Sequence, residues 1–364
     1  MMEIQFALKS FLPALGLAAF LMPLARRLAL AVNLVAGVRP DRLHREPKPY
    51  GGGLGIAAVL LIFGVSMWLA LTARIGTEDT ALLAPGGVGE PEVKARVLAQ
   101  LGFGAVLYFI IGLVDDRYRL SAAPKLTLQF VAAALVVSLG IKATAWVPAA
   151  MVPEIISVLW IVAVVNAYNL FDHADGLAAA AGVVALVALA IGQMAMGAWF
   201  VAGLAFITAG AIAGFLFYNW PPARLFLGDA GSSLIGYLLA ALMMVARYYF
   251  PDRGTSPYVV LVPLALLAVP LFDMVCVILS RLRRRRNPLV GDATSHLAHR
   301  MLARGARPRA TVLFAAGACA ATGAASVGMY FLRGPLLVGM WLLVAAALVT
   351  VIRARRPPQA EAPP

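Results

Sequence analysis

Apolar residues along the 364-residue chain gather into long blocks separated by short polar stretches. The blocks fall at about 5–30, 52–74, 97–115, 126–143, 153–170, 174–194, 198–217, 229–249, 258–280, 309–332 and 335–353. Each is close to the roughly 20 residues that an α-helix needs to cross the hydrocarbon core of a bilayer. The pattern predicts an all-α, polytopic membrane protein with about eleven transmembrane helices. A single membrane-embedded domain takes residues 1–353, and a short Pro/Ala-rich tail follows at 354–364. The opening Met1-Met2-Glu3 lacks a basic region, and no small-residue cleavage site stands out, so the first block is read as a retained span.

Composition agrees with the blocks, with 62% of residues hydrophobic and 13% charged. A soluble domain is about 45–50% apolar and about 25% charged, so none fits beside the spans. Cys276 and Cys319 lie in predicted spans, frame no disulfide scaffold and offer no metal spacing. Both are read as small buried apolar residues. The net charge of +13 is read as a topology signal and as contact with anionic lipid headgroups. No segment resembles a nucleic-acid module, so nucleic acid is not an expected partner.

The positive charges are unevenly placed. The connection between blocks 1 and 2 holds Arg39, Arg42, Arg45 and Lys48, and that between 3 and 4 holds Arg117, Arg119 and Lys125. The connection between 9 and 10 holds the run Arg283 to Arg286, and the tail holds Arg353, Arg355 and Arg356. The intervening connections hold few. The positive-inside rule puts this basic face and the C-terminus in the cytoplasm, and the N-terminus outside.

Polar clusters played no part in choosing that orientation, yet they fall on the same face. Gly-Leu-Val-Asp115-Asp116-Arg closes block 3, and Asn166, Asn169, Asp172, His173 and Asp175 lie between blocks 5 and 6. Asn219 and Asp229 lie between blocks 7 and 8, Asp292, His296 and His299 between 9 and 10, and His44 and Lys48 before Gly51-Gly52-Gly53. Adjacent aspartates at an apolar boundary repel each other, and a divalent cation or a cationic partner relieves the conflict. Asn169, Asp172 and Asp175 at three-residue spacing share one broad face if the segment stays helical, although Asp175-Gly176 also fits a turn. Gly228-Asp229-Ala230-Gly231-Ser232 opens a helix, where Asp229 or Ser232 can cap it or its free amides can hold phosphate. The glycines after Tyr50 fit helix packing through small residues. Histidines are too few for a zinc site, and hard oxygen donors point to Mg²⁺ or Mn²⁺.

Taken in order, these pieces resemble the polyprenyl-phosphate N-acetylhexosamine-1-phosphate transferase family. The resemblance runs from about Asp41 to about Met301. It rests on His44-Arg45-Glu46-Pro47-Lys48-Pro49-Tyr50-Gly51-Gly52, the Asp115-Asp116 pair, and Lys125 followed by Gln129. It also rests on Asn166-Ala167-Tyr168-Asn169-Leu170 through Asp175-Gly176-Leu177, Asn219-Trp220-Pro221-Pro222, Phe226 to Ser232, and the late histidine segment. The resemblance implies transfer of a sugar 1-phosphate from a UDP-N-acetylhexosamine to a polyprenyl (undecaprenyl) phosphate, releasing UMP, at the cytoplasmic face of the inner membrane. It makes Asp229 the leading Mg²⁺ ligand with Asp116 nearby. Asp115 would orient or deprotonate the acceptor phosphate. Lys125, His296 and His299 would neutralise the diphosphate, and Asn169, Asp172, Asp175 and Asn219 would hold the nucleotide and order the metal shell. His44 and Lys48 join the substrate-binding set.

Two positions depart from the family pattern. His173 stands where a glycine usually follows the aspartate, and Ala298 interrupts the late histidines. The muramoyl-pentapeptide branch typically carries a histidine triplet there, so a UDP-N-acetylglucosamine donor is favoured. A secondary transporter or lipid flippase is the rival class. It predicts ionisable groups near span midplanes and matching halves. The pattern gives Lys9 alone as a charge well inside a span and shows no clear repeat. A second copy of the chain, as a homodimer, is a candidate partner.

Overall fold

The computed structural model describes residues 1–36, 48–75, 91–143, 151–248, 257–285, 287, 296–332 and 335–354. Helix follows helix: α1 (Met2–Ala31), α2 (Gly52–Thr72), α3 (Pro91–Tyr118), α4 (Ala122–Ser138), α5 (Val152–Phe171), α6 (Leu177–Ala195), α7 (Trp199–Asn219) and α8 (Gly228–Val245). Then come α9 (Val262–Leu266), α10 (Ala268–Arg283), the short α11 (Leu297–Ala303), α12 (Pro308–Gly328) and α13 (Pro335–Ala354). Two-residue strands β1 (Val35–Ala36) and β2 (Lys48–Pro49) pair antiparallel between α1 and α2. The fold is all-α apart from this short ladder, and the chain is a multi-pass membrane protein. Among the described residues, nine helices are long and apolar enough to cross a bilayer, or ten counting one bent pair as a span.

Two blocks differ from the expected continuous spans. The fourth is only 17 residues and ends at Ser138, because Gly140 takes φ +113 and turns the chain out of the helix. The ninth is broken into α9 and α10, bent by 64°. Pro270 explains the break. It has no N–H to donate, and its ring excludes the carbonyl four residues back, at Leu266, where α9 stops.

Helices α6, α7 and α8 form the centre, and most of the apolar core lies on them, around Leu186, Phe215, Ile235 and Tyr237. Their many Ala and Gly residues let backbones approach closely, which is how helices pack where lipid offers no hydrophobic drive. Peripheral helices keep apolar side chains outward, as with Phe20, Leu61 and Leu336, each more than half exposed. Two glycine contacts set the position of α8. A Cβ on Gly53 of α2 would lie 2.5 Å from the Gly231 nitrogen. One on Gly112 of α3 would lie 2.2 Å from the Asp229 carbonyl oxygen. The glycines after Tyr50 therefore serve close packing, as their spacing suggested.

Candidate functional site

The C-terminal turn of α3, the first turn of α4 and the start of α8 meet at one end of the bundle. The adjacent aspartates of α3 point to different partners. Asp115 accepts the Leu120 N–H at 2.8 Å through one oxygen, and its other oxygen lies 2.5 Å from Lys125 Nζ. Lys125 also lies 2.6 Å from an oxygen of Asp229. Asp116 turns to α8 and accepts the Asp229 and Ala230 N–H groups at 2.8 and 2.9 Å. It thus caps α8 from another helix and faces the positive end of that helix's dipole. Gly228 makes room for it, at φ +76, where a Cβ would come 2.6 Å from an Asp116 oxygen. Lys125 is a cationic partner for Asp115, while Asp116 is met by the two α8 amides. The two α8 amides that looked available for phosphate are occupied by Asp116.

The cluster carries three carboxylates against one ammonium. When all are ionised, the surplus negative charge and the hard oxygen donors suit a divalent cation such as Mg²⁺. Asp229 is the most open of the three, its side chain 40% exposed, and only one of its carboxylate oxygens meets Lys125. Each Asp116 oxygen accepts one amide and keeps a second lone pair.

The segment after Asn166 is not one helix. Helix α5 stops at Phe171 with Asp172 at its C-cap, and residues 172–176 turn into α6. Asn169, Asp172 and Asp175 therefore do not share a helical face. Asn169 is still in the last turn of α5 and accepts the Ser232 hydroxyl at 2.6 Å, which ties α5 to α8. Asn166 donates to Gln129 of α4 at 2.6 Å. Asp175 accepts the Ala223 N–H at 2.8 Å. Buried Asn219 accepts the Gly176 N–H at 2.8 Å and donates to the Leu225 carbonyl at 2.9 Å. Asp175 and Asn219 thus clamp the α5–α6 turn to the loop that leads into α8.

Lys48 sits over the Phe226 ring, 5.2 Å from its centroid. Its strand docks on the same loop, through Phe226 N–H to the Pro49 carbonyl at 3.0 Å and Gly52 N–H to the Phe226 carbonyl at 2.9 Å. His44 and Asp292 lie outside the described residues.

A second cluster adjoins the same turn. His296 is the N-cap residue of α11, and its Nδ1 lies 3.1 Å from an oxygen of Asp273 on α10. The other Asp273 oxygen accepts the Leu297 N–H at 3.1 Å. His173 stacks on both late histidines, 4.4 Å from the His296 ring and 5.4 Å from the His299 ring. Burial, with His296 beside it, pushes the His173 imidazole down to about 3, so it is neutral at physiological pH. Asp273 is fully buried in the ninth block. The pattern reading, which gives Lys9 alone as a charge inside a span, misses it; an ionisable residue within a span is itself the signal. Of the cysteines, Cys319 is buried and Cys276 is half-buried.

Beside the carboxylates, α2, α3, α7 and α8 enclose an apolar groove of about 720 Å³. Its wall begins at Leu54 and Ile110, next to the site-facing Gly53 and Gly112, and runs to Met67, Leu98 and Leu242.

The chain is thus a multi-pass membrane protein in which carboxylates and a lysine converge at one end of the bundle, next to an apolar groove. The model for glycosyl transferase family 4 matches residues 98–247. A decaprenyl-phosphate N-acetylglucosaminephosphotransferase of Mycobacterium tuberculosis is 31% identical over 360 residues, covering 90% of this chain and 84% of its own. The enzyme of that name from Mycolicibacterium smegmatis is 30% identical over 356 residues, 90% of this chain and 83% of its own. A probable undecaprenyl-phosphate N-acetylglucosaminyl 1-phosphate transferase of Bacillus subtilis is 28% identical over 312 residues, 84% and 79% of the two chains. The chain belongs to glycosyl transferase family 4, the polyprenyl-phosphate N-acetylhexosamine-1-phosphate transferases.

Proposed function

We propose that the protein transfers N-acetylglucosamine 1-phosphate from UDP-N-acetylglucosamine to a polyprenyl phosphate, giving a polyprenyl-diphospho-sugar and UMP. This would be the first membrane step of a cell-envelope glycan. The observation that carries the reading is the Asp115–Lys125–Asp229 bridge, with Asp116 behind it, opening beside an apolar groove. One substrate is soluble and anionic and the other is anchored in lipid by its tail, so the site must sit where both arrive. The basic face supports a cytoplasmic location in the inner membrane.

In this reading an acceptor phosphate oxygen attacks the sugar-bearing phosphorus of the donor. The bond from that phosphorus to the bridging oxygen breaks, and UMP leaves with the electron pair. Phosphoryl transfer depends mainly on positioning and charge neutralisation. A phosphate monoester has its second pKa near ~6, so the acceptor is mostly dianionic already. Asp115 then serves chiefly to hold Lys125 where the acceptor phosphate arrives. Asp229 and Asp116 would hold Mg²⁺, or Mn²⁺, which supplies positive charge to the donor diphosphate when bound. His296, with Nδ1 against Asp273, would donate Nε2–H to a phosphate oxygen as the imidazolium. Asn169, Asp175 and Asn219 keep the α5–α6 turn and the α8 loop in register around the nucleotide.

The test is purified protein with polyprenyl phosphate, Mg²⁺ and a panel of UDP-sugars, read as UMP release. UMP from UDP-N-acetylglucosamine is expected. No UMP from any donor refutes the reading. Release confined to the UDP-muramoyl-pentapeptide moves the chain to the activity named for a 28% identical relative from Halalkalibacterium halodurans.

A further inference from the structure

Three imidazoles stack where the α5–α6 turn meets α11, and the middle one comes from the turn. His173 lies 4.4 Å from the His296 ring at 29° and 5.4 Å from the His299 ring at 23°. Both of its nitrogens are engaged within the protein. Nδ1 lies 2.9 Å from the Leu170 carbonyl oxygen, which can only accept, so Nδ1 carries the proton. Nε2 accepts the Ala298 N–H at 3.3 Å. His173, Asp273 and His296 are close enough to suggest a metal centre. The hydrogen bonds argue against one, because the only lone pair of neutral His173 is already directed at Ala298.

The partner of that lone pair is telling. It ties the α5–α6 turn to α11, because the N–H it accepts is the backbone amide of Ala298. Ala298 is fully buried in the first turn of α11 and carries only a methyl group. The His173 ring stacks on His296 and His299, and its Nε2 pins the backbone of the first turn of α11. On the other side, Asp273 grips His296 and the Leu297 N–H. Helix α11 is thereby held from two elements, α10 and the α5–α6 turn.

We propose that His173 is a positioning residue: from the α5–α6 turn it stacks on His296 and His299 and holds the Ala298 N–H, and so fixes the face that the two late histidines present to the donor diphosphate. The inference rests on the transferase reading for its catalytic consequence and on geometry for the placement. With no nitrogen left for substrate, His173 acts only through the other two histidines. Loss of an outer partner of this kind typically lowers activity by about 10- to 100-fold.

Four variants separate the ring, its acceptor nitrogen and its location. His173→Phe keeps a flat ring and loses the acceptor. It should lower kcat by about 10-fold or more while KM for UDP-N-acetylglucosamine changes by less than about twofold. His173→Gln retains an acceptor for the Ala298 N–H and should recover most of kcat. His173→Gly combined with Ala298→His returns an imidazole to the stack from the other side and should exceed His173→Gly alone. Wild-type kcat in His173→Phe overturns the proposal. So do equal losses in the Gln and Phe variants, or a double variant no better than the single glycine. Nitrogen-15 spectra of the four histidines give a readout that needs no turnover. One Nδ1–H tautomer should vanish in His173→Phe, with shifts at His296 and His299; unchanged signals from those two overturn the placement. If the wild type releases no UMP, the transferase reading fails, and the spectra still decide whether His173 holds its neighbours.

Discussion

Replacing Gly112 by alanine should separate packing from chemistry in one methyl group. The added Cβ would lie 2.2 Å from the Asp229 carbonyl oxygen and 2.5 Å from Ala230 Cα, where ordinary contact begins near 3.4 Å. Helices α3 and α8 must then part by about 1 Å, because the opposing atoms are backbone and cannot rotate away. The Asp116 bonds to the α8 amides, 2.8 and 2.9 Å long, would stretch beyond hydrogen-bond range. The Lys125 bridge between Asp115 and Asp229 spans the same gap. Overpacking of this kind costs about 1–3 kcal/mol of stability. The effect on turnover should be larger, about 100-fold in kcat, because a misplacement near 1 Å is enough for such a loss. Gly102→Ala, on the same helix, is the control: its Cβ would meet nothing within 4 Å. UMP release gives kcat, and thermal unfolding in detergent gives the stability. Wild-type turnover in Gly112→Ala would show that the α3–α8 register does not set the site.

Asp229→Asn should abolish turnover with the fold intact, since the lost charge weakens divalent-ion binding; near-normal UMP release at low Mg²⁺ would remove Asp229 as a ligand. His296→Ala should lower kcat by about 100-fold, the usual scale for losing a charge-stabilising donor, whereas wild-type rates would exclude α11 from the site. Gly64→Trp, at a groove position with nothing within 4 Å of a Cβ, should raise KM for long-chain polyprenyl phosphate and spare a short-chain acceptor. Equal effects on both chain lengths would show that the tail lies elsewhere. In intact cells, Arg304→Cys should react only with membrane-permeant labels and Glu92→Cys with impermeant ones. The reverse pattern would place the site on the outer face.

Much was legible in the sequence because much of it is local. A block of apolar residues near bilayer length must be a helix, since no other single segment satisfies its own backbone polar groups in lipid. The residues named from α3, α5 and α8 lie at helix ends because charged and amide groups avoid the hydrocarbon core. Adjacent Asp115 and Asp116 announced the need for a cation, and Lys125 lies only ten residues on. The break at Pro270 is not read from the pattern, because the ninth block is apolar throughout, although the missing N–H that causes it is local and only the 64° angle is a matter of packing.

Which groups meet was decided by tertiary structure alone. That Asp116 caps α8 depends on an approach between Gly112 and Ala230 that no spacing along the chain encodes. The hydrogen bonds of Asp175 and Asn219 join loops 48 and 43 residues apart in sequence and clamp the α5–α6 turn to the loop before α8. Asp273, buried within α10, gains meaning only when α11 folds back and brings His296 to it. His173 and Ala298 read as two unrelated departures until the fold sets them against each other, 125 residues apart. Hydropathy is a property of each segment, so the chain determines its spans by itself. A hydrogen bond or a ring stack belongs to a pair, and only the packing of the helices chooses the pairs.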